Sequence, residues 1–316
     1  MSTRQKRIFI FILLFGVFLV GSHQEAFGVT QISIGSGSVG GILYNSANFI
    51  AQCLNKFLPG FNFTAETTAG TIENLRLMQA GQMSVAVATP QVGYEALTGL
   101  PPWKEKIDFR TIMILVPVAP IMTSLRSSGI TSHKDLKGKK VGVGPAGGGM
   151  EPMVKSVLEE YGIDYKDIKP VFIGLGPGVD ALKGRTVDAT MLNPDLIDSL
   201  TLTNSVNLLT VEEKVIKIVT AKYPYISEIR YPANRFKDIS YEVITPGYNL
   251  LLVAKPDLGE DVVYKITKTI IENLKWLQDG YAPAKIMTPQ RAATKAIAPF
   301  HPGAIKYYKE IKVWKD

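Results

Sequence analysis

The chain has 316 residues, 46% hydrophobic and 20% charged, with a formal net charge of +7. That is enough length for two lobes with sizeable cores, and too ordinary a composition for a disordered or fibrous protein. The basic excess is spread along the chain with no Lys/Arg block, which argues against a nucleic-acid partner.

Arg4, Lys6 and Arg7 precede an apolar run from Ile8 to Val20. As helix that run would extend roughly 20 Å, short of the ~30 Å bilayer core. Ala26-Phe27-Gly28 places small residues where a signal peptidase reads. Residues 1–28 are therefore expected to be a cleaved signal peptide, and the mature protein to be periplasmic or extracytoplasmic.

The mature chain opens on a β-like run, Val29–Ile34, then the turn Gly35-Ser-Gly-Ser-Val-Gly-Gly41, then a helical pattern from about Leu43. Glycine lets the backbone approach a ligand closely, and the following helix start favours an anion. Cys53, the only cysteine, lies on the apolar stripe of that helix and reads as a buried small hydrophobe. Phe61–Thr68 is a second strand, Ala69-Gly70 a turn, and Thr71–Asn74 opens a helix. Ser84–Ala88 is a third strand, and Tyr94–Leu97 a short helix. Strand–turn–helix alternation of this kind predicts a parallel sheet.

Thr111–Leu125 is broken by Pro117 and Pro120 and reads as one strand leaving the first sheet and another crossing elsewhere. Lys140–Val143 is a strand, followed by the glycine-rich turn Gly144–Gly149 and a helix at about Glu151–Tyr161. Val171–Ile173, a third glycine-rich turn at Gly174–Gly178, and a helix over Val179–Lys183 repeat the pattern. Asp188–Leu192 and Leu208–Val211 add two strands, and Tyr248–Lys255 could cross back. Asp261–Leu277 is a long amphipathic helix ended by Gly280, and a short final helix carries Tyr307 and Tyr308.

The expected architecture is thus α/β, with two lobes, a hinge and a cleft between them. Residues 29–122 form the first part of lobe 1, 123–248 form lobe 2, and 249–316 return to lobe 1. Open α/β sheets bind ligands at such a cleft.

Several chemistries compete for the turns. Gly35-x-Gly37-x-x-Gly40 matches a dinucleotide fingerprint, with Glu66 ending the next strand. The export signal argues against a nicotinamide cofactor, and no cofactor is expected. No nucleophile elbow is present, and His301, next to Pro302, reads as structural. His133, His301 and Cys53 form no metal-ligand spacing. A secreted α/β enzyme is therefore the least favoured reading, and no catalytic residue is assigned.

Five motifs then carry a family resemblance. They are Ile34–Tyr44; Glu66–Leu75; Asp135–Gly149; Tyr223-Pro-Tyr225; and His301-Pro-Gly-Ala304 with Tyr307-Tyr308. In this order, over nearly all of the mature chain, they resemble the TAXI family of solute receptors. These are the extracytoplasmic solute-binding components of tripartite ATP-independent periplasmic (TRAP) transporters. The resemblance implies a type II periplasmic-binding-protein-like fold closing on a small anionic solute, a glutamate- or 2-oxoglutarate-like carboxylate. Delivery would be to an integral-membrane TRAP permease. The alternative is a substrate-binding protein of an ATP-driven (ABC) importer.

The ligand-binding residues so implied are Ser36, Gly37 and Gly41 of the first turn, and Tyr44 behind it. Thr68, Gly70, Thr71 and Asn74 lie at the second helix start, and Gly147, Gly148 and Gly149 in the other lobe. Gln91 and Asn193 lie at or near the cleft. Thr71 and Asn74 serve either the solute or the helix cap, and Tyr44 either the solute or the core. Leu43, Ala69, Gly148, Thr89-Pro-Gln91 and Asn193-Pro194 depart from the family pattern. They imply a less polar pocket.

Overall fold

The computed structural model describes residues 29–37, 39, 41–144 and 150–315. The signal-peptide expectation for residues 1–28 lies outside them.

Eleven strands are described: β1 (Thr30–Gly35), β2 (Phe61–Glu66), β3 (Val85–Ala88), β4 (Arg110–Val118), β5 (Ile121–Leu125), β6 (Lys140–Gly144), β7 (Lys169–Phe172), β8 (Ala189–Leu192), β9 (Val206–Leu208), β10 (Ser227–Tyr231) and β11 (Val243–Ala254). The helices are α1 (Ile42–Phe57), α2 (Thr71–Gln79), α3 (Pro90–Thr98), α4 (Met150–Glu160), α5 (Leu175–Lys183), α6 (Pro194–Leu200), α7 (Glu213–Lys222), α8 (Glu260–Glu272), α9 (Leu274–Gly280), α10 (Pro289–Ala292) and α11 (Pro302–Glu310).

The strands fall into two sheets that repeat one plan. The first runs β2-β1-β3-β11, with β4 and β10 also on β11; the second runs β7-β6-β8-β5-β9. In each, three strands lie parallel in the order second, first, third, and a fourth strand joins them antiparallel. That fourth strand enters from the other side of the molecule: β11 returns from the second sheet, and β5 arrives from the first. Each sheet is covered on both faces. Helices α1, α8, α9 and α11 pack one face of the first sheet, α2 and α3 the other. Helices α4 and α7 pack one face of the second, α5 and α6 the other. Coverage on both faces shows as unbroken burial along β3, β5 and β8, in which Thr123, Ser124 and Thr190 are the buried polar exceptions to an apolar run.

Local chemistry explains most element ends. Pro117 is tolerated inside β4 because that strand pairs with β11 and leaves its other side free of a full strand. The expected single helix over Asp261–Leu277 is interrupted at Asn273, whose side chain donates to the Thr269 carbonyl at 2.8 Å. The third glycine-rich turn is corrected as well: α5 begins at Leu175, so Gly174 is its cap and Gly176 to Gly178 its first turns. Gly303 lets α11 cross α8 closely, since a methyl there would run into the Glu260 carbonyl and the Tyr264 amide. Cys53 is buried, and burial pushes its thiol up to about 12.

His133 is buried in the second lobe, stacked on Tyr161 at 5.0 Å between ring centroids. Burial pushes its imidazole down to about 4, against a backbone bond at Thr210 and the charge of Glu212, which both favour protonation. An unfolded histidine titrates near 6.5, so between the two values the unfolded chain binds more protons than the fold. Stability should be complete above about pH 6.5 and fall by about 3 kcal/mol as pH drops toward 4. Urea midpoints measured across that range check it. A His133→Phe variant that kept the full slope would assign the effect to another group.

Candidate functional site

The topology alone sets two strand edges face to face. Strands β3 and β4 are both antiparallel to β11, so β4 leaves the first sheet at the edge where β1, β2 and β3 end. It crosses through Ala119-Pro120 and enters the second sheet as β5. There Ile121 pairs antiparallel with Leu192, the last residue of β8. That is the edge where β6, β7 and β8 end. The C-terminal edges of both sheets therefore adjoin the same crossing. This is where open α/β sheets offer ligand sites.

The first lobe presents three helix starts at this edge. Helices α1, α2 and α3 follow β1, β2 and β3, with Gly41, Gly70 and Thr89 as their N-caps. None of the three N-cap residues makes a side-chain cap bond among the described residues, which leaves the first N–H groups without that partner. Gly70 has φ +111°, a conformation that favours glycine. Val39, in the first turn, is 73% exposed and gives the cleft an apolar point.

Behind these starts lies a buried polar knot. Asn74 is fully buried; its amide donates to the Ser36 carbonyl at 2.8 Å and the Val87 carbonyl at 3.0 Å. Its oxygen accepts from the Thr68 hydroxyl at 2.7 Å. The same hydroxyl lies 3.2 Å from the Ser36 carbonyl and accepts from the Gly70 amide at 3.1 Å. The Ser36 hydroxyl is fully buried and donates to the Glu66 carbonyl at 2.6 Å. Gly35 makes the knot possible: a Cβ there would lie 2.7 Å from Asn74 Oδ1 and collide with Met83. Ser36, Thr68 and Asn74 thus spend their polar groups on tying the ends of β1, β2 and β3 together. They shape the cleft, and both amide protons of Asn74 are taken.

The remaining expected residues lie outside this knot. Thr71 accepts from the Thr89 amide at 3.0 Å and so joins α2 to α3. Tyr44 is half-buried in the first turn of α1. Gly37 abuts Leu43, where an added methyl would sit 3.3 Å from its Cβ. Gln91 lies in the first turn of α3 and bonds Glu95 at 3.1 Å. Asn193 caps α6 by position, followed by Pro194, as Thr89-Pro90 starts α3 in the other lobe. Its Oδ1 is buried with no partner among the described residues. Gly147, Gly148 and Gly149 lie outside the described residues.

Across the cleft, Asp195 of α6 lies close enough to Tyr281, which follows α9, for its charge to act on the phenol. Burial pushes the Tyr281 phenol up, a bond from Ser46 opposes the rise, and the Asp195 charge adds to it. Tyr281 also stacks on Phe49 of α1 at 4.8 Å. Sequence reasoning did not single out Tyr281, because nothing local marks a residue whose partners lie 235 positions away. Among the described residues no group of three or more His, Cys, Asp or Glu could hold a metal ion. No described helix is long and apolar enough to cross a membrane.

Two α/β lobes on repeated plans, joined by crossing strands beside a cleft, define the two-lobed periplasmic-binding-protein fold. The chain belongs to the NMT1-like family, whose model matches residues 34–311. Solved structures with similar folds include PhnD1 from Prochlorococcus marinus (MIT 9301) in complex with methylphosphonate. It is 14% identical, with 90% of this chain and 96% of that chain covered and a TM-score of 0.54. A putative sulfonate ABC transporter protein, the periplasmic sulfonate-binding SsuA from Methylobacillus flagellatus KT, is 15% identical, over 90% and 85%, with a TM-score of 0.52. The periplasmic aliphatic sulphonate binding protein SsuA from Escherichia coli is 14% identical, over 88% and 78%, with a TM-score of 0.50. At such identities the likeness concerns the fold.

The expectation of a TRAP receptor for a glutamate-like solute is corrected by these matches. The family model is NMT1-like, and the transporter named among these neighbours is of the ABC type. The physical reason lies in what the resembling motifs do here. Gly35 and Asn74 build the knot, Gly303 sets the α11–α8 crossing, and Tyr308 donates to the Ile112 carbonyl at 3.1 Å. Such residues report a shared fold and not the machinery that receives the solute.

Proposed function

We propose that the chain is an extracytoplasmic solute-binding protein of an ABC-type importer. It clamps a small oxyanion between its lobes and presents the closed form to a membrane permease. The observation that carries this reading is the convergence of three helix starts without side-chain caps on the edge that faces the second lobe. Charge-assisted hydrogen bonds from such N–H groups contribute about 1.5–3 kcal/mol each, so several from both lobes suffice for micromolar binding. The unpartnered Asn193 Oδ1 favours a solute that also carries an N–H or O–H donor. The ligands of two neighbours, a sulfonate for SsuA and methylphosphonate for PhnD1, support an oxyanion head as the shared chemistry.

The test is a thermal-shift panel of hydroxy- and amino-substituted carboxylates, sulfonates and phosphonates on the purified protein. A ligand at about a thousandfold its Kd stabilises by about 4 kcal/mol. Small-angle scattering with the best ligand should register compaction as the lobes close. A panel without a single stabilising oxyanion would overturn the reading. N-terminal sequencing of the exported protein is expected to begin at Val29; a retained Met1 would favour an anchored form.

A further inference from the structure

A cavity of about 350 Å³ opens between α3, the second half of β11, the start of β10 and the tail segment 295–297. None of Ser36, Thr68, Thr71, Asn74 or Asn193 lines it. Its volume falls in the range of small-molecule sites. Its walls are flat and apolar: the ring of Tyr94 from α3, the ring of Tyr225 before β10, and Ile114 and Ile297. The two rings lie 5.8 Å apart at a 48° tilt, and Tyr223 leans on Tyr225 from outside at 5.6 Å. The wall is held firmly. Gly93 brings α3 so close to the tail that an added methyl would lie 2.8 Å from Ile297.

Ser227 also lines the pocket, with Pro90 and Pro224, and two further polar residues break the apolar part of the wall. Asn249, on β11, has a buried Oδ1 with no hydrogen-bond partner among the described residues. A buried acceptor left unpaired is costly, so an occupant that donates to it gains by relieving it. At the rim, Lys295 is exposed and makes no ion pair among the described residues. Burial foremost, with Tyr223, Glu95 and Tyr94 adding to it, pushes the Tyr225 phenol up to about 12. The ring therefore stays neutral, a suitable stacking face for an aromatic ligand.

We infer that this side pocket binds a planar aromatic acid carrying a ring hydroxyl or amine. The ring lies against Tyr94 and Tyr225, the donor reaches Asn249 Oδ1, and the acid group meets Lys295. Flat tyrosine and proline walls favour a planar ring over a branched aliphatic chain, and the lone ammonium at the rim favours an anion over a neutral ring. The inference uses no group of the proposed clamp, although Pro90 at the start of α3 also lines the pocket.

Isothermal titration of the purified protein with 4-hydroxybenzoate tests it, with benzoate, trans-4-hydroxycyclohexanecarboxylate and 4-hydroxybenzyl alcohol as arms. 4-Hydroxybenzoate should bind at submillimolar concentration, and each arm, lacking one feature, should bind about tenfold more weakly. Lys295→Gln, an exposed change, should weaken both aromatic acids and leave the neutral alcohol unchanged. Asn249→Ala should erase the advantage of 4-hydroxybenzoate over benzoate, and Tyr225→Leu should weaken every aromatic arm. No heat with 4-hydroxybenzoate at millimolar concentration would overturn the inference. Binding that Lys295→Gln and Tyr225→Leu both leave unchanged would overturn it too, by placing the ligand elsewhere.

Discussion

Asn74→Ala is expected to destabilise the protein by about 3–5 kcal/mol and to abolish solute capture at the cleft. The side chain is fully buried and holds three polar groups: the carbonyls of Ser36 and Val87 and the hydroxyl of Thr68. Its removal leaves both carbonyls short of a donor in a site closed to water, and each such loss costs about 1–3 kcal/mol. The cavity adds to this. The ends of β1, β2 and β3 then lose their common tie, so the starts of α1 and α2 drift from one another. Thermal melting and ligand titration on the same sample check both parts. Thr68→Val is the graded control: it keeps shape, loses one hydroxyl, and should cost about 1–2 kcal/mol. A melting temperature for Asn74→Ala equal to that of the wild type would remove the knot from this account.

Gly247→Ala is expected to disturb the joint between the lobes by about 3 kcal/mol, at the upper end for overpacking. Gly247 lies where β11 passes the outgoing crossing, and an added methyl would stand 2.6 Å from Ala119 Cβ and 2.9 Å from both the Val118 carbonyl and Ile229. Two of these neighbours belong to the outgoing crossing itself. Hydrogen bonds already fasten the place: the Tyr231 hydroxyl donates to the Ala119 carbonyl at 3.1 Å, and the Thr245 hydroxyl to the Pro120 carbonyl at 3.0 Å. The strands can separate only by breaking these bonds, so the lobes should rest at a new angle. Scattering curves of the unliganded variant should differ from the wild type, and its melting temperature should fall. Gly176→Ala, where open space surrounds the new methyl, should do neither. A variant at Gly247 with wild-type melting and scattering would show that the crossings have slack.

The stretch from Val29 to Thr98 is legible because its periodicity and its turns agree. The runs at Val29–Ile34 and Ser84–Ala88 became β1 and β3, and Thr71 opens α2 as expected. Legibility failed where local signals oppose the tertiary outcome. Thr245-Pro246-Gly247 reads as a breaker, yet β11 runs through it from Val243, because β10 pairs with that half. Proline and glycine in Gly174–Gly178 read as a turn, although proline fits a first helical turn well. β10 and α7 went unread, since Ser227–Tyr231 carries two charged residues and its pairing partner lies beyond a loop.

The candidate site was legible in its chemistry and not in its direction. Ser36, Thr68 and Asn74 are hydrogen-bonding residues at helix starts, and the sequence offers them equally to a solute or to the backbone. Which they meet depends on how near β1 and β3 approach, and Gly35 decides that through a contact invisible in the order of residues. Tyr225 and Asn249 carry no local mark of a pocket, because its four walls are drawn from positions 90 to 297.

The exchanged fourth strands also bear on the order of folding. The second sheet is assembled from one continuous stretch, β5 to β9, so it can close as soon as that stretch exists. The first sheet cannot: β3 waits for β11, and β4 gains its bridge only when Thr111 meets Phe300. Closing a loop of such length carries its entropic cost before any contact returns it. The earlier-made half of the chain should therefore mature last. Amide exchange during refolding is expected to protect β6 and β8 before β1 and β3. The β3 edge would remain unpaired meanwhile, which makes it the segment most in need of shielding while the chain is incomplete.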